Sequence, residues 1–472
     1  MRIRRLLPWV LGGAILVTGL AHAAEIGSPD FAAADLFKTP KVWTAHLTVS
    51  PDQWLAMQPM LYNRQERLGT TGEKALRNGS VAMGGVDFAY VHGDLEFEGQ
   101  KLPDVGVRYK GNFSFALARP VRMGMPNGSA EGGSSPDAFR FATSKPSYKI
   151  QFNQYVKGQK VGGIATLNFQ NNVADPSWMN EVLAYRLYRD AGVPAPRTAY
   201  AKLYLTIPGK VEKYYLGLYS LSEDVDKTFT GDRFGTAKGA LIKPYDKVNL
   251  FGWRGADWKA YVQIFDPKST FTPEQKARYM AFCDLVSNAD DARFVRELPD
   301  YLDIEEFARF MAVTVWLSDS DNLMDNGHNF YAFLDPRTDK LLFIPWDQDH
   351  AFGHYEMRLD QHGMESRSIL QPWTGTNRFL QRIFGVEAFR NAYLERITEF
   401  VPRLFQPERL AEQVDDLAIA IRPAVEEESQ KKRELFDKFI AGDVAGAGTD
   451  PIKKFAVART ASVTAQLAEI GK

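Results

Sequence analysis

WLSDSDNLMDNGHNFYAFLDPRTDKLLFIPWDQDHAFG, residues Trp316–Gly353, sets acidic clusters on either side of a tight hairpin. The first cluster is Asp319, Asp321 and Asp325, followed by Asn329, and the second is Asp347 and Asp349 after Pro345-Trp346. Between them Asn329–Leu334 and Leu341–Pro345 are apolar and aromatic, joined by the turn-prone Asp335-Pro336-Arg337-Thr338-Asp339. A hairpin folds its two ends side by side, so these carboxylates should meet at one rim. Carboxylates gathered without compensation repel one another and favour a bound cation. Oxygen-only ligands suit Mg²⁺ or Mn²⁺, which often hold substrate phosphates as well. A charged loop or a structural calcium site is the plainer alternative, although EF-hand spacing is absent.

Upstream, from about Val42 to Ile242, the pattern is short alternating strands: Val42–Val49, Val86–Glu98, Val105–Lys110, Tyr148–Phe152, Ala199–Ile207 and Tyr214–Leu221. Met123–Asp137 is rich in glycine, serine and proline and reads as a loop. A helix interrupts this region. Asp175 can cap it, Pro176 suits its first turn, and Trp178–Ala191 runs to a Gly192-Val193-Pro194 stop. From about Pro273 helices dominate: Pro273–Asn288, Ile304–Leu317, Asn377–Phe384, Val386–Leu404 and Pro407–Lys438. The expected fold class is therefore α+β, with a β-rich half at 42–242 and a mainly helical half at 243–472.

Three segments of the β-rich half carry candidate chemistry. Strict alternation puts Lys149 on one strand face with Gln151, opposite Tyr148, Ile150 and Phe152. A lone strand lysine is ordinarily solvated. Glu181, however, falls near Tyr185 and Tyr188 on its helix, and a glutamate among aromatics wants a cation. Lys149 could supply it, and so could Arg108 or Lys110. Arg108-x-Lys110-Gly111-Asn112 ends a strand at a turn, where Gly111 allows close approach of a ligand. Ser222-Glu223-Asp224-Val225-Asp226-Lys227 reads either as a solvated linker or as the floor of a cleft between the halves.

Composition bounds the partners. The chain has 472 residues, is 45% hydrophobic and 24% charged, and carries a net charge of −1, which gives no general attraction for nucleic acid. Arg2, Arg4 and Arg5 precede the apolar run Leu6–Leu20, and Ala21-His22-Ala23 offers a small-x-small cleavage pattern. Residues 1–23 thus read as a secretory signal and 24–41 as a linker, and no further segment reads as a membrane span. Cys283 is the one cysteine, so an oxidising compartment adds no internal disulfide. G-x-S-x-G, Walker A, CxxC and HExxH signatures are absent. Acid pairs also cleave glycosidic bonds, and spacing alone leaves that reaction open.

Several motifs fall in a specific order. They are R-x-K-G-N (Arg108–Asn112), S-Y-K-I-x-F (Ser147–Phe152), D-P-S (Asp175–Ser177) with E-x-L-A-Y (Glu181–Tyr185), and A-G-V-P-A-P-R (Ala191–Arg197). G-L-Y-x-L-x-E-x-V-D-K (Gly217–Lys227), H-N-F-Y (His328–Tyr331) and I-P-W-D-x-D-x-x-F-G (Ile344–Gly353) follow. This series resembles the spore-coat CotH kinase family, and the resemblance runs from roughly Val42 to Ile421. The resemblance implies a bilobal, atypical protein-kinase-like fold, secreted or periplasmic, that phosphorylates a protein or surface-polymer acceptor with ATP and Mg²⁺ or Mn²⁺. It also implies roles. Lys149 would pair with Glu181, Asp321 would orient or deprotonate the acceptor hydroxyl, and Asn329, Asp347 and Asp349 would bind the metal. Arg108 and Lys110 would join Lys149 at the nucleotide, with Glu223 near the adenine. Departures are visible: Asp321 and Asn329 lie eight positions apart, no H-R-D precedes them, and Asp349-His350-Ala351-Phe352-Gly353 replaces D-F-G. Asp319 and Asp325 compete with Asp321, and some relatives look like adhesive or scaffolding proteins.

Overall fold

Alternating burial along the first strands has one outcome here: the sheet closes on itself. The computed structural model describes residues 33–38, 40–57, 60–61, 86–111, 145–173, 175–244, 251–262, 264–354, 359–443 and 451–471. The expected signal segment 1–23, Asn112 and the glycine-rich stretch Met123–Asp137 lie outside the described residues. Strands β1 (Val42–Thr48), β4 (Val91–Phe97), β5 (Gln100–Lys110), β6 (Ser147–Gln151), β7 (Thr166–Gln170), β8 (Thr198–Ile207) and β9 (Val211–Glu223) form a barrel in the order β1-β4-β5-β6-β7-β9-β8. Parallel pairing of β1 with β8, from Val42↔Tyr200 to Thr48↔Thr206, closes it. A separate two-stranded sheet pairs β2 (Met60–Leu61) with β3 (Val86–Asp87). Closure removes the sheet's edges and encloses Leu47, Val107, Tyr148, Ile150, Phe169 and Tyr219 in an apolar interior.

The opposite faces of the same strands are polar. Arg108 pairs with Lys149, Lys149 with Asn168, and Asn168 with Ser222, so these four side chains share the outer wall. β7, which carries Asn168 and Gln170, was not among the expected strands.

The expected hairpin is present as β12 (Phe330–Asp335) and β13 (Lys340–Pro345), with Tyr331↔Ile344 and Phe333↔Leu342 in register. It is not a lone insertion. β10 (Ala240–Pro244) and β11 (Phe265–Pro267) extend it to a four-stranded sheet, β11-β10-β12-β13. The boundary expected at residue 242 therefore falls inside β10, which pairs with the hairpin rather than with the barrel.

The helices, in chain order, begin with α1 (Ala33–Leu36), α2 (Pro51–Ala56), α3 (Asn180–Asp190) and α4 (Lys227–Phe234). The helical half holds α5 (Pro273–Asn288), α6 (Asp291–Tyr301), α7 (Ile304–Leu317), α8 (Gln361–Glu365), α9 (Arg378–Gly385), α10 (Glu387–Phe400), α11 (Pro407–Glu428), α12 (Gln430–Ala441) and α13 (Ile452–Ile470). Local chemistry explains the ends: Thr272 and Gln275 form a capping box before α5, with Pro273 in its first turn. The single helix expected over Pro407–Lys438 is two, because Ser429 leaves the helical region at φ −173°. The α3 helix lies among barrel strands in sequence, yet Val182, Leu183, Tyr185 and Leu187 pack into the helical core with α7 residues such as Phe310 and Met311. The Tyr188 hydroxyl meets Thr314 Oγ1 at 2.8 Å, which ties α3 directly to α7. No helix among the described residues is long and apolar enough to cross a membrane.

Candidate active site

Helix α7 delivers the first acidic cluster. It ends at Ser318, whose backbone is left-handed at φ 50°, and the chain turns into an irregular loop. Short polar side chains fold that loop on itself. Asp319 Oδ1 accepts the Asp321 N–H at 2.7 Å, and Asn322 Oδ1 accepts that of Met324 at 2.8 Å. The Asp321 carboxylate receives Asn326 Nδ2 at 2.5 Å and Asn329 Nδ2 at 3.1 Å. Asn329 Nδ2 also reaches the Asp321 carbonyl at 2.7 Å, so its Oδ1 is the atom left for another partner. His328 Nε2 lies 3.3 Å from Asp321 Oδ1.

The competing aspartates separate on burial and partners. Asp325 Oδ2 is 3.0 Å from Arg367 Nη2, with both side chains almost fully enclosed. Its Oδ1 accepts the Thr374 N–H and hydroxyl at 2.8 and 2.7 Å. Asp325 is thereby committed to holding the loop. Asp319 is fully buried, and burial followed by the neighbouring Asp321 pushes its carboxyl up to about 7, against the pull of His350.

The hairpin brings the second cluster beside the first. Trp346 N–H bonds to the Asn329 carbonyl at 3.2 Å, which closes its mouth. Asn329 and Asp347 both take left-handed backbone conformations, φ 57° and 54°, which Asn and Asp tolerate better than most residues. The Asp347 N–H then donates to the Tyr185 hydroxyl at 3.0 Å, and Asn180 Nδ2 donates to the Asp349 carbonyl at 2.9 Å. The first turns of α3 thus grip the segment leaving the hairpin. Asp175 sets that end of α3 by accepting from Ser177 and from the Asn180 N–H at 2.9 Å. Burial, then Asp347 and Asp321, raise Asp349 to about 6 in spite of His350. Burial opposes charge on His350, but Asp349, Asp319, Asp321 and Asp347 together carry it above the ordinary imidazole range.

The barrel wall supplies cations, with partners different from those expected. Lys149 does not meet Glu181. Its Nζ lies 2.6 Å from Asp224 Oδ2, at the end of the barrel nearest α4. Burial raises Asp224, but the Lys149 charge and bonds from Lys149 and Asn168 hold it down at about 2. The lysine beside Glu181 is Lys110, whose Nζ donates to Gln170 Oε1 at 2.8 Å. Gln170 Nε2 in turn donates to Glu181 Oε1 at 3.3 Å. The register explains the exchange: Lys110 pairs with Ser147, the β6 residue two positions before Lys149, and this moves it along the wall toward α3. Burial lifts Glu181 to about 8, with Lys110 pulling down and Asp347 and Asp349 pushing up. Lys110 Nζ also lies 5.2 Å from the Trp346 ring centre, directly joining the barrel wall to the hairpin exit. Lys243 from β10 lies over the same ring at 5.3 Å, and burial followed by Lys268 lowers it to about 7.

Two other expected residues lie away from the acidic rim. Arg108 lies over the Tyr90 ring at 5.1 Å. Glu223, buried at the end of β9, binds Arg197 Nη2 at 2.5 Å and Arg233 Nη2 at 2.8 Å. It lines a cavity of about 190 Å³ with Gly163, Thr166, Asp224, Asp226 and Phe229, between the start of β7 and the entry to α4. The sequence reading missed Asn168, Gln170, Asp224, Lys243 and His350. Asp224 and His350 stood inside motifs already singled out, whereas β7 and β10 offered no charged cluster to draw notice.

A divalent cation fits this geometry. Asp349 is raised first by burial and then by the neighbouring carboxylates Asp347 and Asp321, a crowding that a cation would relieve. Among the described residues no three His, Cys, Asp or Glu side chains already form a metal cage. Asp347, Asp349 and Asn329 would hold the ion together with oxygens from outside the protein, as Mg²⁺ sites at phosphates commonly do.

A buried strand lysine, Lys110, and a helix glutamate, Glu181, thus face an aspartate-bearing loop and hairpin. The chain belongs to the CotH family: the model described as CotH kinase protein matches residues 107–463, from β5 into α13. It begins later than the resemblance had indicated and continues further toward the C-terminus. Inner spore coat protein H of Bacillus subtilis (strain 168) is 25% identical over 299 residues, 62% of this chain and 78% of that protein. The inner spore coat protein H-like protein of the same organism is 25% identical over 285 residues, covering 59% and 73%.

Proposed function

We propose that this chain is an extracytoplasmic kinase that transfers the γ-phosphoryl group of ATP to a hydroxyl of a protein or surface-polymer acceptor. The observation that carries the reading is the meeting of the Lys110–Glu181 neighbours with Asp347 and Asp349 across the Trp346 ring. In this reading the barrel serves as the β-rich lobe, and β9, residues 224–226 and α4 form the connection to the helical lobe. Lys110 fixes nonterminal phosphate oxygens, with Glu181 keeping its ammonium in place. Glu223 and Asp224, the latter paired with Lys149, line the cavity at the connection, where the adenine would enter. Asp321, steadied by Asn326 and Asn329, orients the acceptor hydroxyl and takes its proton. Mg²⁺ or Mn²⁺ held by Asp347, Asp349 and Asn329 would neutralise charge on the phosphates. Phosphoryl transfer asks for little more than such positioning and neutralisation. The secretory pattern at 1–23 and the coat names of the relatives support a location outside the cytoplasm.

The test is incubation of the mature protein with γ-labelled ATP, Mn²⁺ and a generic acidic protein. Label should appear on the protein itself or on the acceptor. Labelling that survives Asp347→Ala, Asp349→Ala and the double substitution would reject the reading. A second reading, a coat-organising protein without catalysis, is favoured by the coat names of the relatives. A thermal-shift titration separates the two, because a scaffold without a working site gains no metal-dependent stability from ATP.

A further inference from the structure

Two buried arginines brace the acidic loop, one through its polar side chains and the other through the end of the helix that leads into it. Arg367 follows α8 and is 3% exposed. Its Nε donates to Ser318 Oγ at 2.8 Å, its Nη2 to Ser320 Oγ at 2.9 Å, and its Nη1 to the Pro372 carbonyl at 2.6 Å. The same Nη2 makes the 3.0 Å ion pair with Asp325. One planar guanidinium therefore grips the start, the middle and the far end of Ser318–Asp325. Asp321 lies between the gripped points, with its carboxylate turned toward Asn326 and Asn329.

Arg459 of α13 completes the arrangement. It is fully buried and donates to four carbonyls: Glu365 at 3.1 Å, Arg367 at 2.6 Å, Val315 at 2.9 Å and Trp316 at 3.3 Å. Two of these belong to the last turn of α7, where helix carbonyls lack partners of their own. The other two fix the backbone at and before Arg367. The next α7 carbonyl, Leu317, accepts the Phe352 and Gly353 N–H groups at 2.9 and 3.2 Å, so the segment after Asp349 is pinned at the same point. Burying two guanidinium groups is expensive, and well-packed apolar residues would often hold a fold at least as well. Fixed direction is what the planar fork of donors adds.

We propose that Arg367, itself held by Arg459, is a positioning residue for phosphoryl transfer that sets the loop so that Asp321 meets the acceptor hydroxyl. This rests on the kinase reading above. The test uses the full mature chain and three measurements on Arg367→Lys and Arg367→Ala. These are stabilisation by Mn²⁺-ATP, kcat and KM for ATP in the transfer assay, and amide hydrogen exchange of the loop. The expected result is a kcat loss of about 100-fold, the scale of a 1 Å misplacement, with KM for ATP changed less than about threefold. Exchange should quicken in 318–326 and remain unchanged in the barrel strands. Added guanidinium should restore part of kcat to Arg367→Ala, which a general loss of folding would not allow. Should both variants fail to fold, Ser320→Ala removes one grip alone and should lower kcat while preserving Mn²⁺-ATP stabilisation. Unchanged loop exchange, or a rise in KM with kcat preserved, overturns the proposal. A wild-type chain that transfers no phosphate defeats the kinase reading separately, and the exchange data then still decide whether Arg367 holds the loop.

Discussion

Replacing Asp325 by Asn would leave the enclosed Arg367 guanidinium without its carboxylate, and breaking a buried pair in this way typically costs about 3–5 kcal/mol. Asp321→Asn removes a carboxylate from a crowded rim and should leave stability within about 1 kcal/mol of wild type. It should nevertheless abolish labelling. Urea unfolding and the transfer assay, run on both variants, check the division of labour. Equal destabilisation by the two substitutions would refute it. The rim also makes a pH prediction. Glu181, Asp319 and Asp349 are raised to about 8, 7 and 6, each first by burial. Unfolded carboxyls titrate near about pH 4, so the folded chain holds extra protons between that value and the raised ones. In EDTA, stability should therefore be greatest at the acid end of this window and fall as pH rises toward about 7, above which Lys243, lowered to about 7 in the fold, works in the opposite direction. Thermal melts across this range should show the decline, and Asp349→Asn should make it shallower below about pH 6. A rise in midpoint with pH below about 7 would contradict the assigned protonation.

Elements with strong local signals were legible. The alternation Tyr148–Phe152 became β6, the two apolar runs around Asp335–Asp339 became β12 and β13, and Pro273–Asn288 and Ile304–Leu317 became α5 and α7. Short β7 escaped notice although Thr166–Gln170 alternates polar and apolar residues, because it is only five residues long and its polar side chains are buried too, which no local pattern announces. Which of Lys149, Arg108 and Lys110 faces Glu181 could not be read locally either, and the resemblance had favoured Lys149. Alternation says which wall a side chain is on, but its height depends on strand register, and here that depends on β5 pairing with a strand 37 residues after Lys110. Helix α3 shows what a local signal can do for the site. Asp175, which precedes the helix rather than capping it as expected, accepts the Asn180 N–H, and the first turn presents Asn180 to Asp349 and Glu181 to Gln170. Asp175→Ala should cost about 1–2 kcal/mol and lower kcat as the Asn180–Asp349 contact loosens. A variant destabilised to this degree but fully active would show that α3 supports the fold without aligning the rim.

At the scale of the molecule, barrel and helical half are also joined far from the site, by the C-terminal end of α11. Glu428 accepts the Leu218 N–H and Lys145 Nζ, both at 2.9 Å, while Glu427 takes the Tyr204 hydroxyl at 2.6 Å and Lys202 at 3.2 Å. The β8–β9 ladder shifts register between Leu203 and Tyr204, next to Gly217. That irregularity turns the Leu218 N–H toward the helix. Neither the barrel's closing pair nor this clasp could be read locally, since each joins segments more than a hundred residues apart. Gly217 makes the clasp testable. Its φ of 131° is strained for any side chain, and an added Cβ would collide with the Glu428 carboxylate. Gly217→Ala should expel Glu428 and leave Lys145 partly buried without its counter-charge, at a cost on the order of 2 kcal/mol or more. Glu428→Gln keeps the shape and removes only the charge, so it should cost less. If the clasp sets how the barrel wall meets the hairpin, both variants should raise KM for ATP before they lower kcat, because Lys110 stands on the barrel and Asp347 on the other side. Limited proteolysis should cut the α11–α12 junction at Ser429 faster in Gly217→Ala than in wild type. Equal cleavage rates with unchanged stability would mean that the two halves are held together at the site alone.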